Sequence, residues 1–169
     1  MGTMEVVIRK AEARDVPQML ALVRELATFE KEPEAVTVSE AAMLDAGFGE
    51  RPVWWGWVAE VPAASGELAS GKLVGMAVCY ERYSTWRGRC LYLEDIIVTE
   101  HARGQRVGEK LFRTCASFGL EQGHHHMLWQ VLDWNTEAMR FYVRLGATFD
   151  PKWLNGRMTR EDMQQLITA

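Results

Sequence analysis

The stretch from Leu91 to Phe112 constrains the fold more tightly than any other. The apolar run "LYLEDIIV" leads through "TEHA" into "RGQRVGEKLF", so a strand passes through a short basic turn bearing Gly104 and Gly108 into apolar positions at helical spacing. Val107, Leu111, Cys115 and Phe118 define one side of that helix, which the spacing predicts from about Val107 to Gln122 with Gly123 as its stop. Successive backbone N–H groups opening into a helix N-terminus have no intrahelical partner, and the helix dipole favours an anion there. Arg103, Arg106 and Lys110 add positive potential. The expected ligand is therefore a phosphate or pyrophosphate. There is no G-K-[ST] and no G-x-G-x-x-G, which argues against a Walker loop and a dinucleotide fingerprint. Taken alone, the same turn also reads as a surface loop with solvated arginines.

The remaining elements follow from periodicity. "EVVIRK" alternates as a strand, and Asp15 is placed to cap a helix carrying Pro17 in its first turn and running to about Phe29. "SEAAMLDAGFG" reads as a shorter helix capped by Ser39 and stopped at Gly47. "VWWGWVAEV" and "KLVGMAVCYERY" read as strands joined by the hairpin connection "PAASGELASG". "CLYLEDIIV" and "MLWQVLD" are further strands, Asn135 to Leu145 is a helix stopped at Gly146, and Arg160 to Ile167 adds a last helical turn or two. The order implies an α/β (α+β) fold, a mixed sheet with helices packed on it, in one domain over residues 4–169.

With 169 residues, of which 48% are hydrophobic, the chain can bury a core but has no room for a second full domain. A net charge of −4 argues against nucleic-acid binding and favours cationic partners. Cys79, Cys90 and Cys115 form no C-x-x-C pair and read as reduced, apolar residues of an intracellular protein. Neither a signal peptide nor a membrane span is evident, which makes the cytoplasm the expected compartment.

Arg103 and Gly108 fit the first and last places of the loop written [QR]-x-x-G-x-[GA], with Arg106 where the middle glycine falls. With "LDWNTEAMRFYVRLGA" and its N-x-x-A-x-x-F-Y pattern (Asn135, Ala138, Phe141, Tyr142), this resembles the GCN5-related N-acetyltransferases (GNAT). "RELATFE", "DAGFGERP", "VAEVP", "YSTWRGR", "LYLEDIIV" and "VLDWN" extend the similarity over nearly the whole chain, toward the diamine acetyltransferases, the group of the spermidine/spermine and thialysine enzymes. The resemblance implies a mostly antiparallel central sheet flanked by helices, a two-fold homodimer, and acetyl-CoA as co-substrate without a metal. It implies coenzyme contacts from Ile96, Ile97, Val98, Arg103, Gly104, Gln105, Arg106, Val107, Gly108, Glu109, Asn135, Ala138 and Tyr142. Arg106 suits the glycine position if it offers only its backbone amide in a helical conformation open to any L-residue.

Acetyl transfer from a thioester needs a neutral amine, and an alkylamine with a pKa near 10 arrives as ammonium. In "YLEDIIV" two carboxylates interrupt an apolar strand; alternation sends Glu94 and Asp95 to opposite faces unless a bulge intervenes, so one should face the cleft. A partly desolvated carboxylate there accepts a proton, directly or through water, and attracts the cation. By resemblance Glu94 is the proton acceptor, with Asp95 beside it in substrate binding, and Tyr142 is the general acid toward the leaving thiolate. Phe29 and Glu30 match a substrate-contacting pair. A backbone N–H between Ile96 and Val98 would stabilise the oxyanion.

Other groups read as structural. The side chains of "HHH" (124–126) diverge and lack a carboxylate or cysteine at ligand spacing. Trp54, Trp55 and Trp57 belong to the sheet and its helix contacts, while Trp134 directly precedes Asn135. Trp153 and Leu154 stand where polyamine enzymes carry two acids, which favours shorter amines over long polycations. The apolar C-terminal residues Trp153, Leu154, Met163, Leu166 and Ile167 suit a homodimer. Acetylation of a protein N-terminus or lysine, and a non-catalytic acyl-CoA-binding module, remain open readings; intact Glu94, Asp95 and Tyr142 argue against the second.

Overall fold

The computed structural model describes residues 5–63 and 71–168. Five strands, β1 (Val7–Lys10), β2 (Trp55–Val61), β3 (Lys72–Ser84), β4 (Gly88–Val98) and β5 (His126–Leu128), form one sheet in the order β1-β2-β3-β4-β5. Every pairing is antiparallel except β4 with β5, which is parallel. Helices α1 (Val16–Phe29), α2 (Glu40–Phe48) and α3 (Val107–Glu121) accompany this sheet, and α4 (Thr136–Arg144) and α5 (Arg160–Thr168) follow it. The chain groups into two compact units, Met1–Gln130 and Val131–Ala169.

Strand alternation divides the first unit's core into two layers. Val58, Met76, Val78 and Ile97 pack in one buried cluster with Met19, Leu20 and Leu22 of α1 and Met43 of α2. The intervening residues face α3: Trp55 and Trp57 pack on Phe118 at ring-centroid distances of 5.0 and 4.9 Å, and Leu91 closes on Gly119. Trp54 turns the other way, edge-on to Phe48 of α2 at 5.4 Å.

Several boundaries move from their sequence positions for local reasons. Ser39 does cap α2, its Oγ accepting the Ala42 N–H at 3.1 Å, but the helix runs past Gly47 to Phe48. Gly47 lies inside the helix, and the place requires glycine because a Cβ there would come within 2.1 Å of the Trp54 ring. Asp15 stands at the N-cap of α1 as expected, but its side chain makes no capping bond to that helix: its backbone is helical, and its carboxylate closes a tighter 3-10 turn, Ala13–Asp15, by accepting the Glu12 N–H at 2.8 Å. The same carboxylate takes a two-pronged bond from Arg9, at 2.7 and 2.9 Å, and Arg9 Nε reaches Glu60 on β2. Burial pushes the Asp15 carboxyl up, but the Arg9 guanidinium and the Glu12 amide overcome it and hold the group below the usual carboxylate range. Most of the expected hairpin connection, 64–70, lies outside the described residues.

Candidate active site

The turn ahead of α3 is built from left-handed backbone. Gly104 has φ +76°, and Arg106, at the helix N-cap, has φ 60° and ψ 18°. The expectation that Arg106 takes a conformation open to any L-residue is therefore corrected. It is a non-glycine residue in the left-handed region, which costs about 1–2 kcal/mol, and glycine at this place would remove the crowding of its Cβ. The first amides of α3, from Val107, Gly108 and Glu109, stand at the helix mouth without intrahelical partners. Arg103 points elsewhere. Its Nε donates to the Val98 carbonyl at 3.0 Å and its guanidinium lies over the Phe29 ring, 5.5 Å from the centroid. Arg103 thus ties the turn to the end of α1, one residue from Glu30.

The expected strand "MLWQVLD" shrinks to His126–Leu128, and this opens β4. Pairing with β5 covers only Cys90, Leu91 and Tyr92; from Leu93 to Val98 no strand among the described residues pairs with that edge. Thr99 donates to Val74 of β3 at 2.9 Å. Strand alternation then turns the N–H and C=O of Ile97 toward β3, and those of Ile96 and Val98 toward the open edge. The Arg103 bond to the Val98 carbonyl fits that geometry. Of the three residues expected to offer an amide, Ile96 and Val98 are the two that can.

A bulge interrupts β4 at the carboxylates. Leu93 pairs with Cys79 and Asp95 with Val78, so Glu94 is an extra residue with no partner on β3. Without it, alternation would separate the two acids; with it, Asp95 shares the face of Val78, the α1 side, and Glu94 lies outside the alternation. Glu94 is exposed and Asp95 half-buried. Burial first, and then the charges of Glu94 and Glu30, push the Asp95 carboxyl up to about 6. Burial also raises Glu30, whose backbone N–H ends α1 by bonding Leu26. Glu30, Glu94 and Asp95 thus form one acidic cluster, drawn from the end of α1 and the bulge of β4.

Two aromatic residues that the sequence reading did not single out flank this cluster. Tyr80 and Tyr92 are cross-strand partners on the Val78 face, with ring centroids 5.0 Å apart. Burial and then the Glu94 charge raise the Tyr80 phenol, and burial, Tyr80 and Glu94 raise that of Tyr92, with Arg82 opposing both. Period-two spacing puts Tyr92 and Glu94 two apart in "YLE", but only the β3–β4 register identifies Tyr80 as the neighbour.

In the second unit Asn135 is the N-cap of α4, its Oδ1 accepting the Ala138 N–H at 3.2 Å. That bond accounts for the N-x-x-A spacing as a helix start. Tyr142 is buried on α4, with Phe141 and Phe149 at centroid distances of 5.2 and 6.4 Å. Trp134 is exposed at 43%, Trp153 at 73% and Leu154 at 94%. The three histidines diverge as expected. His124 is buried with Nε2 3.1 Å from Glu81, the His125 N–H bonds the Arg89 carbonyl, and His126 faces Arg87.

An open strand edge that runs into an amide-lined turn, beside clustered acids, is suited to holding an anionic carrier end-on to a cationic acceptor. The chain belongs to the acetyltransferase (GNAT) family, whose model matches residues 18–147. It is an N-acetyltransferase, 42% identical over 164 residues to thialysine N-epsilon-acetyltransferase of Bos taurus, across 95% of this chain and 96% of that one. It is also 34% identical to human spermidine/spermine N(1)-acetyltransferase-like protein 1, across 92% of this chain and 23% of that longer one. An aminoglycoside N-acetyltransferase solved in complex with CoA shares the fold, with a TM-score of 0.68 at 16% identity, over 91% of this chain and 95% of that one. Among the described residues no helix is long and apolar enough to cross a membrane.

Proposed function

We propose that this enzyme transfers the acetyl group of acetyl-CoA to a primary amine of a small cationic molecule. The observation that carries the reading is the bulge at Glu94, which sets Asp95 among Glu30 and Glu94 with its carboxyl held up to about 6. A base poised just below neutral pH is mostly ionised there and still accepts a proton readily. Asp95 takes that role, a refinement of the expectation that Glu94 does; exposed Glu94 and half-buried Glu30 attract and orient the ammonium. The amides at Gly104–Glu109, with Arg106 and Lys110 nearby, fit a pyrophosphate. When bound, acetyl-CoA supplies an activated acyl group and a thiolate leaving group. Ile96 and Val98 offer N–H donors to a carbonyl oxygen gaining charge. Tyr142 donates the proton to the leaving sulfur, and Asn135 and Ala138 order the start of its helix.

The relatives named for thialysine and for spermidine/spermine support a small amine as acceptor. The exposed apolar residues Trp153, Leu154, Leu166 and Ile167 support a homodimer in solution, which light scattering at micromolar protein would test. Three buried cysteines without disulfides suit a reducing compartment, the cytoplasm. Thiol release from acetyl-CoA across a panel of amines tests the activity. Turnover with lysine, thialysine or short diamines is expected. Release only with peptides, or none with any amine, would overturn the reading.

A further inference from the structure

Glu94 has no residue directly opposite it on β3, so something other than strand pairing must set where its carboxylate lies. The neighbour across the ladder is diagonal. Tyr80 pairs with Tyr92, two residues before Glu94, a place from which an aromatic side chain reaches across the strands. Its ring is held in a stack. The Tyr80 and Tyr92 rings lie 5.0 Å apart at an interplanar angle of 33°, and the guanidinium of Arg82, opposite Cys90, leans over Tyr92 at 5.8 Å from the centroid. Tyr92 is 9% exposed, which anchors the stack to the sheet. From there the Tyr80 phenol donates to the Glu94 carboxylate. That bond brings Glu94 to the face of Tyr80, Val78 and Asp95. The titratable and charged groups around the two acids are then Glu30 from α1, Tyr80 and Arg82 from β3, and Tyr92 from β4.

We infer that Tyr80 is a positioning residue for acetyl transfer: its phenol fixes the Glu94 carboxylate beside Asp95 and the arriving ammonium, so that one charge both draws in the amine and bears on the base. The inference rests on the acetyl-transfer reading above and deepens it. An exposed glutamate samples several rotamers, and its Coulomb effect on a neighbour falls with distance. A phenol donating to a carboxylate favours the ionised form and holds it in one place. Without that donor Glu94 turns toward water. Asp95 then feels less repulsion and gives up its proton at lower pH, while the ammonium loses one oriented partner.

Tyr80→Phe tests this, since it keeps the ring and its contact with Tyr92 and removes one oxygen. With lysine as acceptor, thiol release from pH 5 to 8 by design should show the limb of kcat/KM moved acidward, as in Glu94→Gln. KM for lysine should rise by up to about fivefold, the scale of a partly exposed ion pair. In a Glu94→Gln background the same change should move neither quantity further, because the charge that Tyr80 positions is already gone. Melting curves run alongside separate this role from packing. A limb and KM that Tyr80→Phe leaves unchanged, or moves equally on both backgrounds, would overturn the inference while acetyl transfer stands. So would a limb that Glu94→Gln leaves in place. Absence of turnover with lysine, thialysine or short diamines in the unaltered enzyme would overturn the acetyl-transfer reading, and this inference with it.

Discussion

Replacing Asp95 by asparagine separates a base from a structural carboxylate, because the two roles predict opposite effects on stability. An ordinary aspartate titrates near 3.9, whereas Asp95 is held up to about 6 by burial and by the charges of Glu94 and Glu30. A free base that must be ionised gives kcat/KM a limb near pH 6, with about nine-tenths of the plateau at pH 7 and about a tenth at pH 5. Protonated Asp95 suits the folded state, so this contribution to stability is complete below about pH 3.9 and is lost as pH rises through about 6. At neutral pH the ionised group then costs up to about 2 kcal/mol, allowing for its partial exposure. Asp95→Asn should therefore lower kcat by about 10²-fold or more, abolish the limb and raise the melting temperature. Glu94→Gln should keep the limb but move it acidward. Stopped assays of thiol release from pH 5 to 8, with thermal melts on the same samples, make the measurement. A limb that stays near pH 6 in Asp95→Asn, or a variant that loses stability, would refute the assignment.

Four other substitutions test separate residues. Arg9→Met removes the partner of Asp15, which is 1% exposed, and should cost about 3–5 kcal/mol in denaturant unfolding. In the unaltered chain the depressed Asp15 and Glu60 carboxyls contribute stability above the ordinary carboxylate range that is lost as pH falls through their lowered values, so acid melts should steepen there. Arg106→Gly should leave stability equal or raise it by up to about 1 kcal/mol, since relief of left-handed strain exceeds the added chain entropy; a clear loss would contradict the conformation. Gly108→Asp should abolish coenzyme A binding in calorimetry of a folded variant, and retained affinity would remove the turn from the site. Tyr142→Phe should lower kcat by roughly 10²-fold with little change in coenzyme affinity, whereas a nearly normal kcat would return Tyr142 to packing alone.

Periodicity and glycine placement made most of the fold legible, because α1, α3 and α4 each bury one stripe and end where Glu30, Gln122 and Leu145 close their last turns. The strands β2, β3 and β4 also fell where apolar runs predicted. What sequence could not supply was register. Whether Glu94 and Asp95 share a face depends on one extra residue opposite Cys79 and Val78, a property of two strands together. Tyr80 and Arg82 escaped for the same reason, since their importance comes from lying across from Tyr92 and Cys90. Asp15 occupies the expected N-cap place, but its carboxylate makes no capping bond to α1 because its partner, Arg9, belongs to another element. Arg106 shows the converse: the departure from glycine was visible in the sequence, but its left-handed φ required the turn itself.

The most direct test of the central claim is mass spectrometry of the amine after incubation with enzyme and acetyl-CoA, at pH 7.5 by design, for the unaltered chain and for Asp95→Asn. A mono-acetylated small amine, modified on the primary amine that approaches Asp95, is expected from the unaltered enzyme and about a hundredfold more slowly from the variant. Equal product from both proteins, or acetyl groups found only on protein, would contradict it.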